Sequence, residues 1–211
     1  MKLTKILMSA AVVGAFAGAS VSQAASAQDV SAQKLSLEAA RIATLVQKFE
    51  AGLVAQNLLN WQVGEYHNNT IKLSLPFPGT GRKYVASDVP ARNAFWYNNE
   101  ISILGQNQKT EALMDRATAK VLELIVNGEK QDVGGDDDQM EILEQYETTV
   151  EVPAGKFDCM YVKAKITSKG ETQELEAWIN PIDVNLDGML KVKVQSQMGP
   201  VEMLLKEFGK K

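Results

Sequence analysis

Apolar residues recur at two different periods along this chain, and the change from one to the other divides it. From Ser36 to about Leu59, Ala39, Ile42, Val46, Phe49 and Leu53 fall at spacings of three and four, while Arg41, Lys48 and Glu50 fall largely on another side. That is the pattern of an amphipathic helix. Ser36 offers an N-cap oxygen, Glu38 places a negative charge in the first turn where the helix dipole favours it, and Asn57 and Asn60 mark an end. After Trp61 the period falls to two and stays there almost to the C-terminus, which predicts strands.

Ile71, Leu73, Leu75 and Phe77 alternate with Lys72 and Ser74. The stretch from Pro76 to Arg92, rich in Pro and Gly, is expected to be a loop, long enough to act as a lid over a barrel mouth or to be a plain connection. Phe95, Tyr97, Ile101 and Ile103 resume the alternation, and the segments on either side of Asp115-Arg116-Ala117-Thr118 read as a hairpin. Asn127-Gly128 and Gly134-Gly135-Asp136 interrupt the chain. Met140, Ile142, Tyr146, Val150 and Val152 are expected to share one face of the next strand, and Pro153-Ala154-Gly155 turns it. Three more inner rows follow: Met160 to Ile166, Leu175 to Ile179, and Leu190 to Val194. Val201, Met203 and Leu205 then complete a meander. It has about nine strands, with connections too short for parallel crossovers.

Sheet geometry turns this into a shape. About nine strands make a sheet ~43 Å wide, whereas a helix over 36–59 is ~36 Å long and ~10 Å across and covers about a quarter of that width. The remaining apolar face has to be buried by curling or by a ligand or partner. The expected fold is therefore mainly β, of α+β class: an N-terminal helix followed by a curved antiparallel half-barrel forming a single domain over 28–211.

The first 27 residues have the character of a signal peptide. Lys2 and Lys5 precede an apolar run from Ile6 to Gly18, too short for a comfortable membrane span, and Ala25-Ser26-Ala27 supplies small residues for cleavage before Gln28. Ser22-Gln23-Ala24 is a second candidate. The expected location is the periplasm, with secretion as the alternative. Removing this segment leaves 20 basic against 26 acidic residues, a charge of -6, which disfavours nucleic acid and anionic lipid as partners. No later segment has the apolar length of a transmembrane helix.

Val152-Pro153-Ala154-Gly155-Lys156-Phe157-Asp158-Cys159 resembles the V-P-A-G-x-F-x-C turn of a family of exported proteins related to the half-barrel superfamily of the lipoprotein carriers LolA and LolB. A tryptophan strand, Glu176 to Ile179, and a final strand, Val201 to Phe208, follow in both. The likeness spans residues 140–208, with lysine at position 156 in place of a small polar residue. It implies the half-barrel fold, with lipid carriage as an analogy.

Candidate chemistry is sparse. A single histidine, His67, and a single cysteine, Cys159, leave too few ligands for a Cys/His zinc cluster or c-type haem and exclude an internal disulfide, and no cofactor is expected. Asp183-Val184-Asn185-Leu186-Asp187-Gly188 matches the first half of a calcium loop, but Val194 stands where the bidentate Glu belongs. Asp183, Asn185 and Asp187 are thus a weak calcium candidate, with a β-turn the commoner reading. Asp136-Asp137-Asp138 is a similar loop charge run. Nothing places Cys159 beside His67 as a nucleophile and base, no G-x-S-x-G elbow exists, and Glu174 and Glu176 are expected to pair with Lys163 and Lys165 across strands.

Trp61, Phe95, Trp96, Tyr97 and Trp178 are the candidates to line a ligand cavity, although aromatics more often fill cores. No enzyme is expected. The expected role is a non-enzymatic periplasmic binding protein holding a lipid or other apolar ligand in the concave face, with an envelope structural or protein-interaction module whose barrel is filled by its own side chains as the alternative.

Overall fold

Side-chain alternation is realised as strands throughout the residues that the computed structural model describes, which are 60–73, 78–103, 105–133, 139–168, 171–196 and 199–211. The expected signal peptide, the helix at 36–59 and Asp136 to Asp138 lie outside them. The strands are β1 (Glu65–Lys72), β2 (Gly79–Val89), β3 (Ala94–Ile103), β4 (Gln106–Asp115), β5 (Val121–Val126), β6 (Glu129–Gln131), β7 (Gln139–Val152), β8 (Gly155–Ser168), β9 (Glu171–Ile179), β10 (Met189–Ser196) and β11 (Gly199–Lys210). They form one unclosed antiparallel sheet of 11 strands in the order β6-β5-β4-β3-β2-β1-β11-β10-β9-β8-β7. Two runs of hairpins therefore meet where β1 pairs with β11. The sheet bends back on itself at one corner, because Ala154 in the β7–β8 turn donates its N–H to the Leu205 carbonyl of β11 at 3.1 Å.

Turn chemistry explains the connections. Asp115 Oδ1 accepts the N–H groups of Ala117 and Thr118 at 2.9 and 2.7 Å and the Thr118 hydroxyl at 2.9 Å, closing the expected hairpin and holding the Asp115 carboxyl below its ordinary pKa. Asn127 and Gly128 both take positive φ, 51° and 85°, as a tight two-residue hairpin requires.

Two expectations need correction. The stretch from Pro76 to Arg92 is no lid: most of it is β2, followed by a short 3-10 turn at Pro90–Arg92. The inward positions of β2 are Gly79, Gly81, Lys83 and Val85, which are buried. Two glycines and a lysine on the core side conceal the period of two. The second correction concerns β7. Its register shifts between Ile142 and Glu144, so Met140 packs on one face while Val150 and Val152 join a cluster on the other. A similar shift in β10, between Met189 and Lys191, sends Leu190 to the cluster that holds Val152, away from Val192, and β11 shifts opposite Asn68 and Asn69, beyond Leu205.

The first face carries two apolar clusters. One joins Ile71, Ile101, Ala164, Leu175, Val192 and Met203 with their neighbours; the other joins Trp61, Val85, Phe95, Tyr97, Met114 and Leu186. The opposite face of the C-terminal strands holds the third, around Cys159, Val184, Leu190 and Leu204.

Candidate functional site

Between the two clusters of the first face runs a row of buried polar residues. Cross-strand pairing places His67 of β1 opposite Lys83 of β2, Lys83 opposite Asn99 of β3, and Asn99 opposite Thr110 of β4. All four are buried. The loop between β9 and β10 supplies their counter-charge. Asn180 shapes its start: Oδ1 accepts the N–H groups of Ile182 and Asp183 at 3.0 and 2.9 Å, while Nδ2 donates to Asp183 Oδ2 and to the Asp158 carbonyl. Gly188 closes it at φ 66°.

This loop carries Asn185 and Asp187 onto the sheet. Lys83 Nζ donates to Asp187 Oδ2 at 3.0 Å, with side-chain exposures of 1% and 2%, and Asp187 Oδ1 accepts the Met189 N–H at 2.9 Å. His67 Nε2 lies 2.8 Å from the Asn185 carbonyl oxygen. A carbonyl only accepts, so the neutral ring carries its proton on Nε2. Its Nδ1 then presents a lone pair to Asp187 Oδ1 at 3.4 Å, and it has no hydrogen-bond partner among the described residues. Burial holds the His67 pKa below its ordinary value; Asp187 opposes that shift and Lys83 reinforces it. The arrangement neutralises one buried charge with another and clamps the loop to β1 and β2.

The five aromatic candidates separate. Trp61 packs at a tilt against Phe95 and Tyr97 with ring centroids 5.7 and 5.2 Å apart, inside one apolar cluster. Trp96 lies on the opposite side of β3, half-buried. Trp178 belongs to the third cluster and to a ladder running across four strands: Tyr146 of β7 meets Tyr161 of β8 at 4.7 Å, Tyr161 meets Trp178 of β9 at 5.1 Å, and Lys191 Nζ of β10 sits 4.8 Å over the Trp178 ring. Asp183, Asn185 and Asp187 are engaged separately. Asp183 binds Asn180, Asn185 Nδ2 donates to the Gly209 carbonyl at 2.7 Å, and Asp187 holds Lys83. Lys163 pairs with Glu174 at 2.9 Å, while Lys193 of β10 takes Glu176 at 3.3 Å. Cys159 is buried on the face opposite to the His67 row.

Two open cavities are polar at their edges. One of about 590 Å³ is bordered by Asn68, Arg82, Glu100, Asn107 and Lys109. The other, of about 720 Å³, is bordered by Trp61, Asp88, Arg116 and Lys210, where Arg116 pairs with Asp88.

No family model matches the chain, and no curated protein does. Among solved structures, a Bacteroides fragilis protein assigned as exported, with a YmcC-like fold, is 13% identical with a TM-score of 0.41, covering 72% of this chain and 99% of its own. A Parabacteroides distasonis protein assigned as a lipoprotein is 10% identical with a TM-score of 0.37, covering 72% and 98%. Similarity this low transfers no function. Among the described residues no helix is long and apolar enough to cross a membrane.

Proposed function

We propose that this protein is an exported, non-enzymatic interaction module of the cell envelope, in which the apolar face of the sheet is a structural core and partners are met by the outside of the sheet. The observation that carries this reading is the burial of the face a lipid carrier would keep open. Ile71, Leu175 and Val194 are each 1% exposed and Ala164 is fully buried, and they pack into one cluster with their neighbours. An apolar ligand needs a lined cavity that removes most of its surface from water, and the two open cavities described above, bordered by described residues, are lined mainly by polar and charged residues. Lipid carriage by analogy with LolA and LolB is thus the weaker alternative.

Export to the periplasm, or secretion, is inferred from the first 27 residues. The absence of catalysis is inferred from the sealing of His67, Lys83 and Asp187 and from the position of Cys159 on the other face. The test is native mass spectrometry, with organic extraction, of residues 28–211 purified from a periplasm without detergent. The expected result is a mass equal to the bare chain that does not change on adding phospholipid. A lipid retained at fixed stoichiometry would overturn the reading and restore the carrier.

A further inference from the structure

We propose that β7 is a docking edge for an extended, basic segment of a partner protein, which adds to the sheet as one more strand. This deepens the interaction reading above and rests on it.

The two ends of the sheet differ. β6 is a blunted edge of three exposed polar residues, Glu-Lys-Gln, the usual protection against stray pairing. β7 is 14 residues long and exposed along most of its length. It is hydrogen-bonded to β8 on one side and, among the described residues, is the last strand of the sheet on the other. Its main-chain N–H and C=O groups on the free side form a template for strand addition. Ile142, Leu143 and Tyr146 are 44%, 43% and 47% exposed, so three of the large apolar side chains that this protein shows to water lie within five positions of one edge.

The aromatic ladder gives this edge a direction. It runs from Lys191 over Trp178 to Tyr161 and stops at Tyr146, whose ring has a cross-strand neighbour on the β8 side and, among the described residues, no strand beyond it. The far end of the ladder is already closed by a lysine over a ring. An aromatic or cationic side chain directly opposite Tyr146 would close the near end by the same contacts.

Charge selects the partner. β7 carries Glu141, Glu144, Glu147 and Glu151 and neither lysine nor arginine. On β8, Lys165 approaches Glu141 at 4.0 Å, whereas Lys163 is drawn to Glu174 at 2.9 Å. A second copy pairing edge to edge would set one acidic strand against another, and like charges across a strand pair are destabilising. The register shift sets Tyr146 and Glu144 on one face and Glu147 and Glu151 on the other, so a strand alternating basic with apolar or aromatic residues meets the Tyr146 ring with an aromatic and Glu147 and Glu151 with its basic side chains.

The test uses the mature chain and two labelled peptides, one alternating lysine with valine around a central tryptophan and its twin with glutamate replacing lysine. Fluorescence anisotropy measures binding, and amide hydrogen exchange locates it. The lysine peptide is expected to bind at least ~10-fold tighter than its twin and to slow exchange along β7. Glu147→Lys with Glu151→Lys is expected to reverse that preference, and Tyr146→Ser to weaken the lysine peptide, with the circular dichroism of both variants unchanged. No binding, equal binding of both peptides, or protection that appears away from β7 would overturn the proposal. A lipid found by native mass spectrometry would sink the self-filled core while leaving this edge standing, so the two failures are distinguishable.

Discussion

Asp187 Oδ2 accepts a hydrogen bond from Lys83 Nζ at 3.0 Å in a setting where both side chains are almost wholly removed from water. Asp187 belongs to the loop between β9 and β10 and Lys83 to β2, so this contact fastens the loop to the first half of the sheet. Removing one partner takes from the other, buried charge its partner at 3.0 Å, and breaking a buried pair in this way typically costs about 3–5 kcal/mol. Lys83→Met and Asp187→Asn are each expected to lose stability of that order in urea denaturation. The double variant is expected to be more stable than their summed losses predict, because no lone charge remains. Additive losses would show that the two groups do not act as a pair.

His67 shares this cluster and gives it a pH dependence of definite sign. Burial lowers its pKa below 6.5, outweighing the attraction of Asp187. The unfolded chain therefore binds a proton at a higher pH than the folded chain does. Stability attributable to His67 is complete above pH 6.5 and is lost as the pH falls through the depressed folded value. Glu207, Asp115 and Glu123, whose pKa values are also lowered, add their own losses at more acidic pH. The expected outcome is a urea midpoint that declines from pH 6.5 downward in the parent and declines less in His67→Gln, the difference between the two curves isolating the histidine. Parallel curves would remove His67 as the cause.

The sheet was legible where alternation was strict and one-sided. Val162, Ala164 and Ile166 on β8, and Leu175, Ala177 and Ile179 on β9, are predicted as inner rows and are found packed in one cluster. β2 was not, because glycine at 79 and 81 and lysine at 83 occupy positions where a core strand usually shows apolar side chains. The switch of face in β7 and β10 was hidden for another reason: a one-residue register shift leaves composition unchanged while it changes which side a residue faces. Nor does any local pattern join Lys83 to Asp187, which lie 104 residues apart, or His67 to Asn185, 118 apart. Their one local trace was the Asp-x-Asn-x-Asp-Gly run. Its acidic and amide groups fit a cation loop or a turn equally well until the sheet brings lysine and histidine to meet them.

Gly188 is the residue that makes that loop closable. Its φ is +66°, and a Cβ there would stand 2.6 Å from Pro181 N and 2.7 Å from Asn180 C, which are backbone atoms with no freedom to yield. Gly105 also has a positive φ, +76°, but opens onto empty space. Gly105→Ala is expected to cost about 1 kcal/mol from backbone strain alone. Gly188→Ala should cost clearly more, and through loop displacement should also weaken the protection of the Met189 amide that Asp187 Oδ1 accepts. Urea denaturation and amide exchange of the two variants side by side check this. Equal losses would mean that the loop adapts to the added carbon.

Cys159 supplies a chemical probe of the third cluster. The thiol is buried on the face opposite to His67, among Val184, Leu190 and Leu204, and burial followed by the nearby Asp158 charge raises its pKa. Reaction with iodoacetamide requires both access and the thiolate, and the native fold restricts each. Alkylation at neutral pH is expected to be at least ~10-fold slower in the folded protein than in urea. It should accelerate in Leu204→Ala, which opens the cluster around the sulfur, with stability falling by about 2–5 kcal/mol. If Cys159 in the folded chain reacts as fast as in urea, the cluster opens too readily to protect it.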